Sequence, residues 1–441
     1  MKERILQFGT GNFLRGFADY FVDALNKKGL YDGKVVIVSP TNSKTVEKIN
    51  AQNGRYNLFL RGLENGKAVC ERTEIHAVSR AVNPYTDFDE YLSLAQNPDL
   101  RFIISNTTES GIAFSPDDRF TDKPAKSFPA KLTQLLYARF QAGLNGFVIF
   151  ACELIDNNAK ELQKFVLRYA QLWSLGEDFF HWIISENKFC NTLVDRIVTG
   201  YPKDEAEALN REISCEDKLL DTAEPYHLWV IAGNFENELP LQKAGFNVIW
   251  TDDVSPYKKM KVRILNGAHT ALVFPSMLCG VETVGESLKD KMLNDFLNTC
   301  LFAYILPTLG DTEENRQFAS AVLERFANPY IHHMWQSIAL NSVSKFTARV
   351  LPTVSDYIDK KHTLPKPLVF SLACLIAYYK TNAVQDDKSA VDFIQEHTVS
   401  EILANAHLWG KDLSDFTDFV NECLAKIHTD GIREAVKWAL L

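Results

Sequence analysis

The sequence predicts an α/β N-terminal domain on a mostly parallel sheet, followed by a mostly α-helical C-terminal domain. Three observations predict it. Short β-branched apolar runs alternate with helical stretches as far as residue 253. A glycine turn stands between the first run and the first helical stretch. After Tyr257 no strong strand signal remains.

In order, ILQFG (5–9) reads as a buried strand and Thr10–Asn12 as a tight turn. Phe13, Phe17, Tyr20, Phe21 and Leu25 then share one helix face, with Lys27, Lys28 and Gly29 suited to its end. KVVIVSP (34–40), RFIISNT (101–107) and GFVIFACEL (146–154) are further strands, and residues 160–225 read as mostly helical. HLWVIAG (227–233) and FNVIWTDD (246–253) are the last two strands. Apolar strands of this kind belong to a sheet covered on both faces. The pattern changes at SPYKK, placing a boundary near 255–258. A dinucleotide-binding domain, 1–256, and a helical substrate and catalytic domain, 257–441, are therefore expected. LVFSLACLIAYY (368–379) is too short to cross a membrane and reads as a buried helix.

Composition excludes several classes of function. The apolar fraction is 46% and the charged fraction 23% over 441 residues, which is neither a disordered chain nor a disulfide scaffold. Forty-seven Lys and Arg against 56 Asp and Glu give a net charge of −9, so nucleic acid is not the expected partner. An anionic ligand must be held by a local cluster of cations. MKERILQFGTGNF carries no apolar leader, and the eight cysteines form no CxxC pair. Buried thiols and a cytoplasmic location are expected.

Gly9-Thr10-Gly11 between strand and helix starts a Rossmann-type dinucleotide fingerprint. The first glycine permits the turn and the second admits a pyrophosphate at the helix N-terminus. The third glycine of the fingerprint is replaced by Leu14. Arg15, one turn on, can also reach a phosphate. The second strand runs into Ser39-Pro40-Thr41-Asn42-Ser43-Lys44, with no acid to hold a ribose hydroxyl, so these residues leave NAD and NADP both open.

KVRILNGAH (261–269) carries the chemistry. On an ideal α-helix Lys261, His269 and Asn266 lie at about 0°, 80° and 140°, one sector, with Lys261 about 7.5 Å along the axis from Asn266. These residue types suit hydride transfer at a secondary alcohol. Lysine accepts the hydroxyl proton, provided that burial and its neighbours Lys258, Lys259 and Arg263 lower a pKa normally near 10.4. Asn266 donates N–H to the developing alkoxide. His269 positions the substrate. Taken alone, the same residues also describe a solvated helix start with a capping Asn. His332 and His333 are adjacent and diverge on a helix, so they read as surface or pocket residues rather than metal ligands, and no metal is expected.

The chain resembles the mannitol dehydrogenase family of polyol-specific long-chain dehydrogenases. The resemblance rests on FGTGNFLR (8–15), FCNTLVDRIVTGYP (189–202), KVRILNGAH with its K-x4-N-x2-H spacing, RFANPYIHH (325–333) and SIALNSVSKFTARVLP (337–352). RFIISNTTESGI (101–112) and CELIDNN (152–158) look like its uronate branch. The resemblance implies NAD as cofactor, a sugar-acid substrate, Lys261 as general acid/base, Asn266 as oxyanion donor and His269 beside them. It implies Asn191 as a second oxyanion donor; on the residues alone Asn191 reads equally as the N-cap of a helix over TLVDRI. It places Phe8, Gly9, Thr10, Gly11, Asn12, Phe13, Leu14 and Arg15 at the dinucleotide and Glu109 near the nicotinamide end. Arg325, Lys345 and Arg349 are candidates for a substrate carboxylate. Mannitol-type members carry an acid three residues before the lysine; here that position is Lys258, which suits an anionic substrate. A catalytically silent nucleotide sensor is the alternative of a different class.

Overall fold

The computed structural model describes residues 1–441, which form two compact units. The first comprises Met1–Arg61 and Val69–Ser255, the second Gly62–Ala68 and Pro256–Leu441.

The first unit is built on an eight-stranded sheet in the order β11-β10-β8-β7-β6-β1-β2-β5. Its strands are β1 (Lys2–Phe8), β2 (Gly33–Val38), β5 (Val78–Val82), β6 (Phe102–Ser105), β7 (Val148–Ala151), β8 (Lys188–Asp195), β10 (Leu228–Ala232) and β11 (Val248–Thr251). All neighbours are parallel except β8 and β10. Strand alternation sorts the apolar runs onto two cores. Ile5, Val35, Ile37, Phe102, Ile104 and Phe150 face one, with Phe17, Phe21 and Trp229. Leu6, Phe8, Val36, Val38, Ile103 and Ile149 face the other, against Leu132, Leu135, Leu162 and Val166. Burial on both faces is why these strands read as unbroken apolar runs.

Two expectations require correction. Residues 160–225 are not mostly helical throughout: after helices Asn158–Leu172 and Glu177–Glu186 the chain returns as β8, and β9 (Asp221–Ala223) follows. The segment TLVDRI therefore does not start a helix. Polar Asn191 and Thr192 hide the strand, but both are satisfied within the fold; Thr192 Oγ1 donates to the Ala151 carbonyl at 2.7 Å. A second, three-stranded sheet, β4-β3-β9, was also not anticipated. Its hairpin joins β3 (Tyr56–Glu64) to β4 (Lys67–Ile75) through Asn65-Gly66, both at positive φ, the turn chemistry that favours two-residue hairpins. The hairpin tip groups with the second unit, where the Gly66 N–H donates to Glu324 Oε1 at 2.7 Å.

The second unit has no strand after β11, only the isolated bridge between Thr283 and Met334. Helix Lys366–Thr381 is buried almost continuously from Pro367 to Ile376 and packs on Gly267–Leu278 and Thr417–Asp430. No helix is long and apolar enough to cross a membrane. Five cysteines are buried as expected, Cys279 is half-buried, and Cys70 and Cys215 are exposed.

Candidate active site

In open α/β sheets ligands bind beyond the carboxyl ends of the strands, where the chain order reverses. Here the reversal is at β1, flanked by β2 on one side and β6 on the other. The glycine turn follows β1 and the loop from Asn106 follows β6. They touch: a Cβ on Gly9 would sit 2.8 Å from the Asn106 carbonyl oxygen, and φ at Gly9 is +141°. Only glycine fits both demands. Gly9→Ala is expected to cost about 1–3 kcal/mol and to weaken NADH binding by displacing the turn. Thermal unfolding and a fluorescence titration check it; unchanged binding would show that the close approach is not required.

A Cβ on Gly11 meets nothing within 4 Å, so the turn is open where a pyrophosphate must approach. Asn12–Leu14, a π turn over Arg15–Asp19 and Tyr20–Lys27 continue as one helical run from there. Phe8 and Leu14 point into the cores, so they offer the site only backbone. Half-buried Phe13 stacks on Phe17 at 5.0 Å.

Arg15 is 3% exposed, not a solvated surface residue. Its Nη2 donates to Asn12 Oδ1, while Nε and Nη1 have no partner. Beneath it lie Asp19 and Asp221. Burial pushes both carboxyls up to about 7, with the Arg15 charge pulling the other way. Tyr56 Oη donates to Asp19 Oδ2 at 3.2 Å. An acid whose folded pKa lies above its unfolded value near 3.8 holds its proton longer in the native state. Its contribution is therefore present at low pH and lost as pH rises towards and through 7. The melting temperature is expected to fall between about pH 4 and 7, and Asp19→Asn to reduce that slope. An equal slope in wild type and variant would sink this account.

Register places the rest of the edge. Phe8 pairs with Ser105, Ser105 with Ala151, and Ala151 with Asn191. Asn191 thus lies three strand spacings from the glycine turn, about 14 Å, the kind of span a dinucleotide crosses. Its Oδ1 accepts from the N–H groups of Ala159 and Lys160 at 3.0 and 3.1 Å, so it caps helix Asn158–Leu172 from a neighbouring strand. With the oxygen committed, the amide NH₂ is the end left to donate. Glu153, two residues past the end of β7, is buried and accepts from Ser105 Oγ, Thr107 N and Thr107 Oγ1, each at 3.0 Å, with burial raising its pKa. Glu109 is exposed on the loop after β6, next to Thr108 at φ +78°.

In the second unit, Lys261 ends helix Ser255–Lys261 and Asn266 ends a π turn, Val262–Asn266. This corrects the ideal α-helical geometry. In a π turn the bonding is i→i+5, so residues five apart come round to one face. Lys261 and Asn266 are therefore closer to superposed than 140° allows. Lys261, Asn266 and His269 are all partly exposed, between buried Ile264, Leu265 and Ala268. Two of the three expected neighbouring cations turn elsewhere. Arg263 donates to Thr353 Oγ1 at 2.8 Å and to Asp356 Oδ2 at 3.2 Å, and Lys259 pairs with Asp356 at 3.6 Å.

The His269 ring stacks on Phe326 at 4.0 Å and 11°, with His333 and Trp335 edge-on at 6.1 and 6.2 Å. Phe326 and Trp335 were not singled out from sequence, because aromatics at such positions read as core. His333 is half-buried; burial and the Arg325 charge lower its pKa. Arg325 is buried next to Phe326. Helix Ser342–Arg349 packs its end on Gly267, where a Cβ would lie 3.2 Å from the Arg349 carbonyl oxygen. This brings Arg349 near Asn266. Lys345 Nζ donates to the Ile338 carbonyl at 2.8 Å.

The family model described as the mannitol dehydrogenase Rossmann domain matches residues 3–243, and that of the mannitol dehydrogenase C-terminal domain matches 253–429. The chain is 42% identical to an altronate oxidoreductase of Bacillus subtilis (strain 168), covering 99% of this chain and 95% of that one. It is 43% identical to an altronate oxidoreductase of Enterobacter sp. (strain 638), covering 99% and 96%. Among solved structures, a D-sorbitol dehydrogenase in substrate-free form superposes with TM-score 0.88 at 24% identity, covering 99% and 95%. Pseudomonas fluorescens mannitol 2-dehydrogenase, solved with NAD and D-mannitol, superposes with TM-score 0.75 at 21% identity, covering 100% and 94%. The two solved structures share the fold; the two family models and the altronate oxidoreductases establish that this chain belongs to the mannitol dehydrogenase family.

Proposed function

We propose that the chain is an NAD-dependent oxidoreductase that interconverts D-tagaturonate and D-altronate. The observation that carries the substrate is its likeness to altronate oxidoreductases over 99% of its length. The reaction class is supported by Lys261 and Asn266 at the two ends of one π turn and by the open glycine turn.

Gly9, Thr10, Gly11, Asn12 and Arg15 hold the dinucleotide phosphates; Phe13 and the backbone of Phe8 and Leu14 shape that turn, and Glu109 flanks it after β6. When bound, the nicotinamide supplies hydride to the carbonyl carbon or takes it from the carbinol carbon. In the reductive direction Asn266 donates its amide N–H to the ketone oxygen, helped by the NH₂ of Asn191. As charge builds on that oxygen, Lys261 Nζ transfers a proton to it, so hydride and proton together complete the alcohol. His269, held against Phe326, orients a neighbouring hydroxyl. Arg325 and Arg349 are preferred over Lys345 for the carboxylate, because a guanidinium contacts both of its oxygens. This assignment places no metal in the reaction, since Asn266 and Lys261 carry the oxygen's charge.

The test is NADH oxidation with tagaturonate, fructuronate and fructose side by side. Tagaturonate is expected to give the highest kcat/KM. Preference for fructuronate would reassign the chain to the epimeric hexuronate, and preference for fructose to polyol chemistry. EDTA is expected to leave the rate unchanged; loss restored by zinc would overturn the metal-free assignment.

A further inference from the structure

Beside the glycine turn lies a cavity of about 490 Å³ lined by Gly11, Asn12, Arg15, Lys48, Lys203 and Lys218, and by no acidic residue. Four cations around one cavity are unexpected in a chain of net charge −9. Lys218 has only a long pair with Glu216, at 3.8 Å, and Lys48 and Lys203 have no carboxylate within ion-pair distance. The buried Arg15 lines the same place.

A pyrophosphate on the turn would occupy Gly11, Asn12 and Arg15, and leaves the three lysines unexplained. Lys48 is carried by helix Thr45–Ala51, immediately after β2, the side on which the adenosine ribose of a bound dinucleotide lies. An acid there recognises a free 2′-hydroxyl and excludes a 2′-phosphate; a cation admits it. The end of β2 is Ser39-Pro40-Thr41-Asn42-Ser43-Lys44, with no acid. Ser39 is buried and donates to the Thr41 carbonyl at 2.6 Å, so it is turned inward.

We propose that this cavity is a second phosphate subsite that takes the 2′-phosphate of a 2′-phosphorylated adenine dinucleotide, so that the chain binds NADPH as well as NADH. The proposal rests on the dinucleotide reading of the glycine turn and extends it. Lys48, Lys203 and Lys218 supply the dianion's counter-charge, while Arg15 remains with the pyrophosphate.

The test is calorimetric binding of adenosine 2′,5′-bisphosphate, 5′-AMP and inorganic phosphate at low salt. NADH and NADPH are followed in parallel by their fluorescence. The wild type is compared with the triple variant Lys48→Gln, Lys203→Gln, Lys218→Gln. In the wild type the bisphosphate is expected to bind about tenfold tighter than 5′-AMP, with the advantage shrinking as salt is added. In the triple variant the two should bind alike, with NADH affinity unchanged within about threefold. A bisphosphate that binds no tighter than 5′-AMP, or a preference that survives the triple substitution, overturns the proposal while leaving NADH binding intact. Inorganic phosphate that binds tightly yet displaces no nucleotide assigns the cavity to a free anion and also overturns it. If neither NADH nor 5′-AMP binds the wild type, the dinucleotide reading falls together with it.

Discussion

Lys261→Ala is expected to lower kcat by about 10²–10⁴-fold, the usual contribution of a positioned acid or base, while NADH still binds with wild-type affinity. Lys261 is not among the residues assigned to the dinucleotide, so its removal leaves that set of side chains complete. The pH profile sharpens the test. In the wild type altronate oxidation should rise with pH, because the neutral amine must receive the alcohol proton, and tagaturonate reduction should fall. In the variant both limbs should flatten. A variant that keeps wild-type turnover would instead favour a nucleotide sensor, and flat wild-type profiles in both directions with chemistry rate-limiting would remove lysine as the base.

Asn266→Ala should cost about 10²–10³ in kcat, the loss measured when an oxyanion donor is removed elsewhere. The N–H bond it makes strengthens as the oxygen gains charge, so kcat and kcat/KM should fall together while KM changes little. Asn266→Asp should be worse at similar volume, since a carboxylate opposite a developing alkoxide repels it. Residue 266 ends the π turn and its own carbonyl accepts from Thr270 Oγ1 at 2.9 Å, so the variants must be checked by circular dichroism for an intact helix. A rise in KM at constant kcat would mean that Asn266 merely binds substrate.

What could be read from the chain follows from where its partners lie. The strands β1, β2, β6 and β7 were legible because each is covered on both sides and so carries a local apolar signature; β10 and the half-buried edge strand β11 also show as short apolar runs. The strand β8 was not, since Asn191 is made tolerable by the N–H groups of Ala159 and Lys160, and Thr192 by Asn158 and Ala151, all more than 30 residues away. The Asn65-Gly66 hairpin was locally signalled and was overlooked among polar neighbours. At the site, the spacing of Lys261, Asn266 and His269 was visible but the π turn was not, as no composition marks a widened turn. Nor was the burial of Arg15, whose charge acts on Asp221, about 200 residues further along the chain. The capture of the Lys345 amine by a main-chain carbonyl has no sequence signature either.

A helix segment that bulges by one residue between its working amine and its working amide is longer there than regular winding needs. Excising that surplus residue would leave the amide four places after the amine, about 40° round on even coils, so the two would still share a side. The extra residue is thus a place where the rod's winding can change without parting its working pair.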